Sequence, residues 1–235
     1  MRILIIIPAY NEQENIINTV SKVVEYRKQC DFQLDYVVIN DGSKDNTYNI
    51  CKQNNIPCVN LIQNLGIGGA VQTGYKLANI LDYDIAVQFD GDGQHDINSL
   101  KPLIEPIISG AADFTVGSRF IEGKSNFKST FMRRLGIKWL SFIIKLVTGK
   151  KIFDVTSGFR AANKSSISLL AQDYPIDYPE PESLVNLIKY KTIVSEIQVN
   201  MFEREGGSSS IHSWKSIYYM IKVTLAIIIA GFQKG

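Results

Sequence analysis

The segment QFDGDGQHD, residues 88–96, places three aspartates within seven residues, and a glycine follows each of the first two. The segment comes directly after an apolar run, so it lies where a buried strand is expected to end. Glycine lets the backbone turn sharply there, so the carboxylates of Asp90 and Asp92 can face one common ligand. A hard divalent cation such as Mg²⁺ or Mn²⁺ accepts one or two such carboxylates together with substrate phosphates. The alternative is a solvated turn. His95 is expected to orient the loop, and Asp96 to cap the next helix.

Two other strand ends also carry polar groups. They are PAYNE, residues 8–12, and NDGS, residues 40–43. In open α/β sheets, ligands bind beyond the carboxyl ends of the strands. The three polar strand ends are therefore predicted to converge on one crevice.

The elements that would position these groups alternate between strand and helix through the first 120 residues. The predicted strands are residues 2–8, 34–40, 57–62, 84–89 and 112–117, and the predicted helices are residues 13–28, 68–81 and 97–109. The strands are continuously apolar, which is typical of a mostly parallel sheet covered on both faces. The sequence therefore indicates an α/β fold.

The second half of the chain is less regular. It is predicted to contain helices at residues 131–147, 164–171, 182–189 and 214–230 and a strand at residues 192–201. Two loops are expected between them, DVTSGFRA at residues 154–161 and the glycine-serine segment EREGGSSSI at residues 203–211.

The amino-acid composition limits the classes of protein to which this chain can belong. The 235 residues are 45% hydrophobic and 20% charged, which is typical of a folded globular chain of one large domain. Cys30, Cys51 and Cys58 form no C-x-x-C pair, so free thiols in a reducing cytoplasm are expected rather than a disulfide framework or a zinc site. The first apolar run stops at Pro8 and does not resemble a signal peptide. No window reaches the roughly 18 apolar residues of a membrane span.

Charge is distributed unevenly along the chain. Residues 124–151 contain eight basic residues and no acidic residue, although the net charge of the whole chain is +2. Apolar residues recur there at steps of three and four: Phe131, Leu135, Trp139, Phe142, Ile143 and Leu146. A basic amphipathic helix of this kind lies well on an anionic membrane surface.

Other interpretations of these helical segments stay open. The basic helix could instead be a core helix with a solvated basic face. Nucleic acid is disfavoured, because no nucleic-acid motif is present and the acidic crevice would repel a phosphate backbone. The apolar tail, residues 216–232, could be a core helix, a second interfacial helix or the contact for a membrane partner.

Four motifs in order, IPAYNE, INDGSKDNT, NLGIGGAVQTGYKLA and FDGDGQHD, resemble the inverting family-two glycosyltransferases of the GT-A fold. The resemblance is dense over residues 3–120. VGSRF, TSGFRA, PEPESLV and EREGGSSSI extend it to about residue 211 and resemble the branch of dolichol-phosphate mannose synthase and bacterial polyprenyl-phosphate glycosyltransferases.

The resemblance implies a Rossmann-like, mostly parallel sheet flanked by helices, with C-terminal helices on the acceptor side. Residues 1–211 would form the catalytic domain. Its nucleotide-sugar half would be residues 1–120 and its acceptor half residues 121–211, and residues 212–235 would form a C-terminal amphipathic or apolar helix.

The resemblance also implies roles for individual residues. The donor nucleotide sugar would contact Pro8, Ala9, Tyr10, Glu12, Asp41, Gly68, Asp90 and Gly91. The metal, Mg²⁺ or Mn²⁺, would be held by Asp90, Asp92 and Gln94. The acceptor phosphate would contact Arg119, Ser157, Arg160, Arg204 and Ser208. Catalytic roles would fall to Asp92, Arg119 and Glu182. The glycines of residues 66–69 do not form a dinucleotide fingerprint, because Val71 stands where G-x-G-x-x-G requires its last glycine.

The implied reaction moves a sugar, with inversion, from a nucleoside-diphosphate sugar to a lipid-linked acceptor, and the expected acceptor is a polyprenyl phosphate of the undecaprenyl type. This acceptor is largely ionised at neutral pH, since its second pKa lies near 6, and needs no strong base. A hydroxyl acceptor would need a base, and Glu180, Glu182 and Asp154 are the candidates, although the family's E-D motif is absent.

This activity implies a peripheral location on the cytoplasmic face of the cell membrane, a role in cell-envelope or polysaccharide biosynthesis, and a small integral-membrane protein as a candidate partner. Three alternatives stay open. They are transfer to a sugar hydroxyl of a growing glycan, a metal-dependent nucleotidyltransferase, and a non-catalytic protein that binds nucleotide sugars. The acidic, glycine-free loop after the first strand disfavours the nucleotidyltransferase.

Overall fold

The computed structural model describes residues 1–121, 131–202 and 213–233. The predicted contacts Arg204 and Ser208 lie outside the described residues, as does the glycine-serine loop. The strands are β1 (Arg2–Ala9), β2 (Gln33–Asn40), β3 (Cys58–Asn60), β4 (Ile85–Gln88), β5 (Phe114–Ser118), β6 (Arg160–Asn163) and β7 (Val194–Gln198). The helices are α1 (Ile16–Arg27), α2 (Thr47–Gln53), α3 (Gly66–Ile80), α4 (Leu100–Ile108), α5 (Phe131–Thr148), α6 (Lys164–Gln172), α7 (Pro179–Lys189) and α8 (Ser213–Phe232).

The seven strands form one sheet in the order β3-β2-β1-β4-β6-β5-β7. Four of the six strand pairs are parallel, and β6 runs antiparallel to both β4 and β5. The predicted α/β fold with a mostly parallel sheet is confirmed.

The main error of the sequence prediction concerns strand β6, because the prediction assigned the start of this segment to a loop. Its sequence is RAAN, four residues with no β-branched or large aromatic side chain, so intrinsic strand propensity is low. The strand forms because Ala161 and Ala162 are fully buried between β4 and β5, where small side chains fit.

Strand β1 lies at the centre of the fold and is buried on both faces. Ile3 and Ile5 pack into one hydrophobic cluster, and Leu4 and Ile6 pack into the other. This explains why β1 is continuously apolar, and it fixes the register of the neighbouring strands that end at the crevice.

Several predicted boundaries move in the structure for local reasons. The third strand is only Cys58–Asn60, because the chain leaves the sheet and Ile62 is completely exposed. Helix α7 begins earlier than predicted, at Pro179, since proline is well suited to the first helical turn. Asp96 caps the short 3₁₀ turn Ile97–Ser99 by accepting a hydrogen bond from the Asn98 amide, as predicted.

Helices α5 and α8 pack against each other, and each keeps one exposed apolar stripe. Val223 and Ile227 of α8 are buried, and Trp139 Nε1 of α5 donates to Thr224 Oγ1 of α8 at 3.1 Å. Helix α8 is therefore partly a core helix. No helix in the described ranges is long and apolar enough to cross a membrane.

The close approach of α3 to β1 gives a stability prediction. A Cβ at Gly74 would stand 2.2 Å from Ile6 Cγ2. Alanine in place of an interior helical glycine ordinarily stabilises a helix by about 0.5–1 kcal/mol. Gly74→Ala is instead expected to cost about 1–3 kcal/mol in urea unfolding, because it overfills the core.

Lys76→Ala, at an exposed position of the same helix, serves as the control and is expected to stay within about 0.5 kcal/mol of the wild type. A Gly74→Ala variant as stable as the wild type would contradict the close packing of α3 on β1.

Candidate functional site

A cavity of about 690 Å³ opens at the carboxyl ends of β1, β2 and β4. Polar strand ends and the start of α3 line it, so the three polar segments converge in the structure. The lining residues are Pro8, Ala9, Tyr10, Asn11, Glu12, Gln13, Glu14, Asn15, Asp41, Asp45, Asn64, Gly66, Ile67, Ala70, Asp90, Gly91 and Asp92. Seven of the eight predicted donor contacts belong to this set: Pro8, Ala9, Tyr10, Glu12, Asp41, Asp90 and Gly91.

The loops after β1 and β2 are tied together by reciprocal hydrogen bonds. The Asn11 amide donates to Ser43 Oγ at 2.9 Å, and the Lys44 amide donates back to Asn11 Oδ1 at 2.8 Å. The Glu12 amide donates to Thr47 Oγ1 at 2.9 Å. These bonds hold Asn11 in the left-handed conformation, at φ 55°, and make one rigid wall from two loops.

Asp41 ties the second wall to helix α3. It is 3% exposed, and its Oδ1 accepts a 2.7 Å hydrogen bond from the Leu65 amide. Asn64 Nδ2 donates to its carbonyl oxygen at 3.1 Å. Burial raises the pKa of Asp41, and backbone hydrogen bonds from Leu65 and Gly66 offset part of this effect. The carboxylate therefore connects the end of β2 to the start of the pocket-lining helix.

Asp90 follows the last strand residues of β4 and has a partner on each carboxylate oxygen. Gln88 Nε2 donates to Oδ1 at 3.2 Å, and His95 Nε2 lies 3.1 Å from Oδ2. Burial alone would raise the pKa of Asp90. The hydrogen bond and charge of His95, the hydrogen bond of Gln88 and the charge of Arg160 outweigh burial and lower it. The prediction was that His95 orients the loop; in the structure it contacts Asp90 of that loop and stacks on Phe159 with ring centroids 5.1 Å apart.

A glycine makes room for this carboxylate. A Cβ at Gly158 would lie 2.2 Å from Asp90 Oδ2, closer than any side chain permits. Gly91 makes a similar close approach, because a Cβ there would lie 2.9 Å from the Pro8 carbonyl oxygen. The backbone therefore closes around Asp90 from the loop before β6 and from the end of β1.

Asp92 lines the cavity beside Asp90, and its Oδ1 accepts a 3.1 Å hydrogen bond from the Gln94 amide. Gln94 is partly exposed, and its carbonyl oxygen accepts from the Phe202 amide at 2.8 Å. Within the described ranges, no group of three or more His, Cys, Asp or Glu side chains could hold a metal ion. Two carboxylates are nevertheless the number that a Mg²⁺ ion usually takes when substrate phosphates supply further oxygens, so the residues fit such an ion.

The two described arginines of the predicted acceptor site are buried. Arg119 is 3% exposed and pairs with Asp154, which is fully buried, through Nε at 2.6 Å and Nη2 at 2.7 Å. Glu196 in turn accepts from the Asp154 amide at 2.8 Å. Removing one partner of such a pair typically costs about 3–5 kcal/mol, so the pair has a structural role whatever else Arg119 does.

Arg160 of β6 is fully buried and donates to neutral oxygens. Its Nε donates to the Ser157 carbonyl at 2.6 Å, and its Nη1 donates to the Glu180 carbonyl at 2.9 Å and to Ser183 Oγ at 3.0 Å. Ser157 is itself 1% exposed. Arg160 therefore connects the strand beside β4 to the first turn of α7, beneath the cavity.

Two of the three candidate bases, Glu180 and Glu182, have different electrostatic surroundings. Burial raises the pKa of Glu180, and the charges that act on it are those of Arg160 and Asp90. Burial also raises the pKa of Glu182, but the charges that act on Glu182 are those of Asp173 and Asp177. The structure thus associates Glu180 with the Asp90 end of the site, whereas the sequence prediction assigned the catalytic role to Glu182.

Gly68 packs a helix rather than lining the cavity wall. A Cβ there would lie 2.1 Å from the Pro175 carbonyl oxygen, and the Gly68 amide donates to the Ile176 carbonyl at 3.2 Å. Its neighbour Gly66 does belong to the lining residues. The sequence prediction named Gly68 as a donor contact, whereas the glycine that lines the cavity is Gly66.

Sequence reasoning also missed three residues around Asp90. They are Gln88, Tyr174 and Gly158. Gln88 offered a signal, because it is the one polar residue of the otherwise apolar strand segment IAVQ. Tyr174 reaches Gln88 from a distant part of the chain, and no local pattern marks it. Gly158 belongs to the motif TSGFRA, but the motif does not reveal its contact with Asp90.

Comparisons with known proteins agree with this geometry. The family model described as "Glycosyl transferase family 2" matches residues 4–170. A UDP-N-acetylglucosamine–dolichyl-phosphate N-acetylglucosaminyltransferase of Methanococcus voltae is 31% identical over 97% of this chain and 98% of that protein. A polyprenol monophosphomannose synthase of Mycolicibacterium smegmatis is 27% identical over 94% of this chain and 85% of that protein.

A solved structure shows the same fold. Glucosyl-3-phosphoglycerate synthase of Mycobacterium tuberculosis, in complex with Mn²⁺, UDP and phosphoglyceric acid, superposes with a TM-score of 0.74 at 13% identity. The match covers 98% of this chain and 78% of that one. The predicted GT-A type of α/β fold is confirmed.

Proposed function

This chain belongs to glycosyl transferase family 2, and from that premise we propose that it transfers a sugar from a nucleoside-diphosphate sugar to a polyprenyl phosphate. Relatives that span almost the whole chain carry names of dolichyl- and polyprenyl-phosphate glycosyltransferases, which supports a lipid-linked acceptor. The observation that carries the proposal is the pair Asp90 and Asp92 on the wall of a cavity large enough for a nucleotide sugar.

The donor would lie in the cavity between the ends of β1, β2 and β4. Tyr10 is 41% exposed at its mouth and offers a ring face to the base, and the Asp41 carboxylate accepts hydrogen bonds. A divalent cation, Mg²⁺ or Mn²⁺, would supply positive charge to the departing diphosphate. Asp90 and Asp92 would hold it, with Gln94 as the third proposed ligand.

An acceptor oxygen would attack the face of the sugar opposite to the diphosphate and invert the anomeric centre. A polyprenyl phosphate needs no deprotonation at neutral pH, because its second pKa lies near 6. The surroundings of Glu180 suit this acceptor, since burial raises the pKa of that carboxyl; the charge of Arg160 opposes this effect and the charge of Asp90 adds to it. Arg204 and Ser208 remain the proposed acceptor contacts, whereas Arg119, Ser157 and Arg160 are each 3% exposed or less and are hydrogen-bonded within the fold.

The exposed stripes of α5 and α8 are proposed to rest on the membrane that carries the acceptor. Four large apolar side chains of α5 are 49–72% exposed, namely Leu135, Trp139, Phe142 and Leu146. Basic residues Arg134, Lys138 and Lys145 are exposed beside them. The α8 stripe adds Ile221, Leu225, Ile229 and Phe232, all at least 53% exposed.

The charge of the α5 face favours an anionic lipid surface over a neutral one. The hydrogen bond from Trp139 to Thr224 places the two stripes side by side, so both can enter one interface. This arrangement would put the protein on the cytoplasmic face of the cell membrane, where nucleotide sugars and the phosphate of the lipid meet.

Transfer is tested with a panel of nucleotide sugars, undecaprenyl phosphate and Mn²⁺, and the lipid products are identified by mass spectrometry. Asp92→Asn is expected to lower turnover by at least about 100-fold, because it removes one carboxylate that holds the cation. Its melting temperature is expected to stay near that of the wild type, because Asp92 lies at the cavity wall.

Asp96→Asn makes the same chemical change four residues further along the loop, where asparagine is an equally good cap, and is expected to retain its turnover. Full turnover in Asp92→Asn would refute the proposed metal role. A glycosylated product that is always water-soluble would refute the lipid acceptor.

Membrane binding is tested by co-sedimentation with phosphatidylglycerol vesicles and with pure phosphatidylcholine vesicles. The wild type is expected to prefer the anionic vesicles, and Phe142→Glu with Leu146→Glu is expected to abolish binding. Ile80→Glu alters an exposed apolar residue on α3 and is expected to bind like the wild type. Unchanged binding of the double variant would rule out the α5 stripe as the membrane surface.

A further inference from the structure

We propose that Gln88 and Tyr174 are positioning residues that hold the Asp90 carboxylate in the orientation that receives the cation. The inference rests on the proposed function, because it assigns a role to two buried side chains beneath the proposed metal site. Neither residue lines the cavity, so each would act through Asp90.

Gln88 is placed to act on Asp90 from within the sheet. It is the last residue of β4, it is fully buried, and it lies opposite Arg160 in the antiparallel pair with β6. Its Nε2 donates to Asp90 Oδ1 at 3.2 Å, and its Oε1 accepts from the Tyr174 hydroxyl at 3.3 Å. Both ends of the amide therefore have a partner.

This arrangement fixes which end of the amide faces the carboxylate. A carboxylate only accepts hydrogen bonds when ionised, so the amide nitrogen must face Asp90 and the amide oxygen must face away. The oxygen would then be buried without a partner if Tyr174 did not donate to it. Tyr174 is 5% exposed, and burial raises its pKa well above the ordinary value, so the hydroxyl keeps its proton.

The Asp90 carboxylate is consequently held at both oxygens. Gln88 Nε2 donates to one lone pair of Oδ1, and His95 Nε2 contacts one lone pair of Oδ2. Each oxygen has a second lone pair that stays available to a cation. Gly158 lies against the same carboxylate and leaves room for this orientation, and a rotated side chain would lose both hydrogen bonds.

Tyr174 connects this network to the rest of the cavity. It follows α6, and its ring lies 5.6 Å from that of Tyr75, which belongs to the cavity-lining helix α3. The path from Tyr174 through Gln88 to Asp90 thus joins α3, the segment after α6 and the end of β4. A buried amide is costly without partners, and the neighbours of Gln88 in β4 are apolar, so packing alone would favour an apolar residue there.

The test measures Mn²⁺ affinity of the full chain by electron paramagnetic resonance at a fixed concentration of UDP, because the diphosphate supplies the remaining oxygen ligands of the ion. Gln88→Met keeps the length of the side chain and removes the donor, and it is expected to weaken Mn²⁺ binding about tenfold or more. Tyr174→Phe removes one hydroxyl and is expected to weaken binding several-fold. Because the two residues act in series, the double variant is expected to bind no more weakly than Gln88→Met alone.

Two controls separate positioning from a general loss of stability. Gln72→Met makes the same substitution at a half-buried glutamine that donates to the Ala171 carbonyl. Tyr83→Phe removes a buried phenol hydrogen bond to Asp35, before the start of β4. Both controls are expected to bind Mn²⁺ like the wild type, whatever their melting temperatures.

The outcomes separate this inference from the proposed function. If Asp92→Asn abolishes Mn²⁺ binding while Gln88→Met and Tyr174→Phe leave it unchanged, the inference is overturned and the proposed metal site stands. If the wild type does not bind Mn²⁺, or binds it as well after Asp92→Asn, the proposed metal role fails and the inference fails with it. Should Gln88→Met not fold, Tyr174→Phe alone decides the question.

Discussion

The site depends on holding one ionised carboxylate, that of Asp90, at the edge of a hydrophobic sheet. Burial opposes the charged form, and the hydrogen bonds from His95 and Gln88 together with the nearby charge of Arg160 favour it. The hydrogen bonds and the positive charge outweigh burial, so the pKa of Asp90 is lowered. A negative charge kept in place by surrounding donors is what a divalent cation requires from the protein.

The fold supplies this environment through contacts between distant segments. Strand β1, buried on both faces, aligns β2 and β4 so that their polar ends open into one cavity. Strand β6 lies antiparallel beside β4 and brings Arg160 and Gly158 under Asp90. The loops after β1 and β2 then bind one another through Asn11 and Ser43, which makes the opposite wall rigid.

The first half of the chain was largely predictable from its residues, and the second half was less so. Continuous apolar runs at β1, β2 and β4 and polar strand ends at Asp41 and Asp90 carry local signals for strands and for a crevice. The β6 segment RAAN carries no such signal, because tertiary packing and not propensity makes it a strand. Arg160 and Arg119 were predicted to contact the acceptor phosphate, yet both are buried among oxygens of other segments, and this depends on pairings that the sequence does not reveal. The same holds for Glu180, whose proximity to the charge of Asp90 arises from the placement of α7.

The central claim is that Asp90 and Asp92 together hold a divalent cation against a bound diphosphate. A crystal structure of the protein with Mn²⁺ and UDP, recorded with anomalous scattering, tests it most directly. The account predicts an anomalous peak about 2.0–2.3 Å from an oxygen of each of the two carboxylates and from oxygens of the diphosphate. A UDP molecule bound in the cavity with no anomalous peak at these carboxylates, or with Asp90 turned away from the diphosphate, would contradict it.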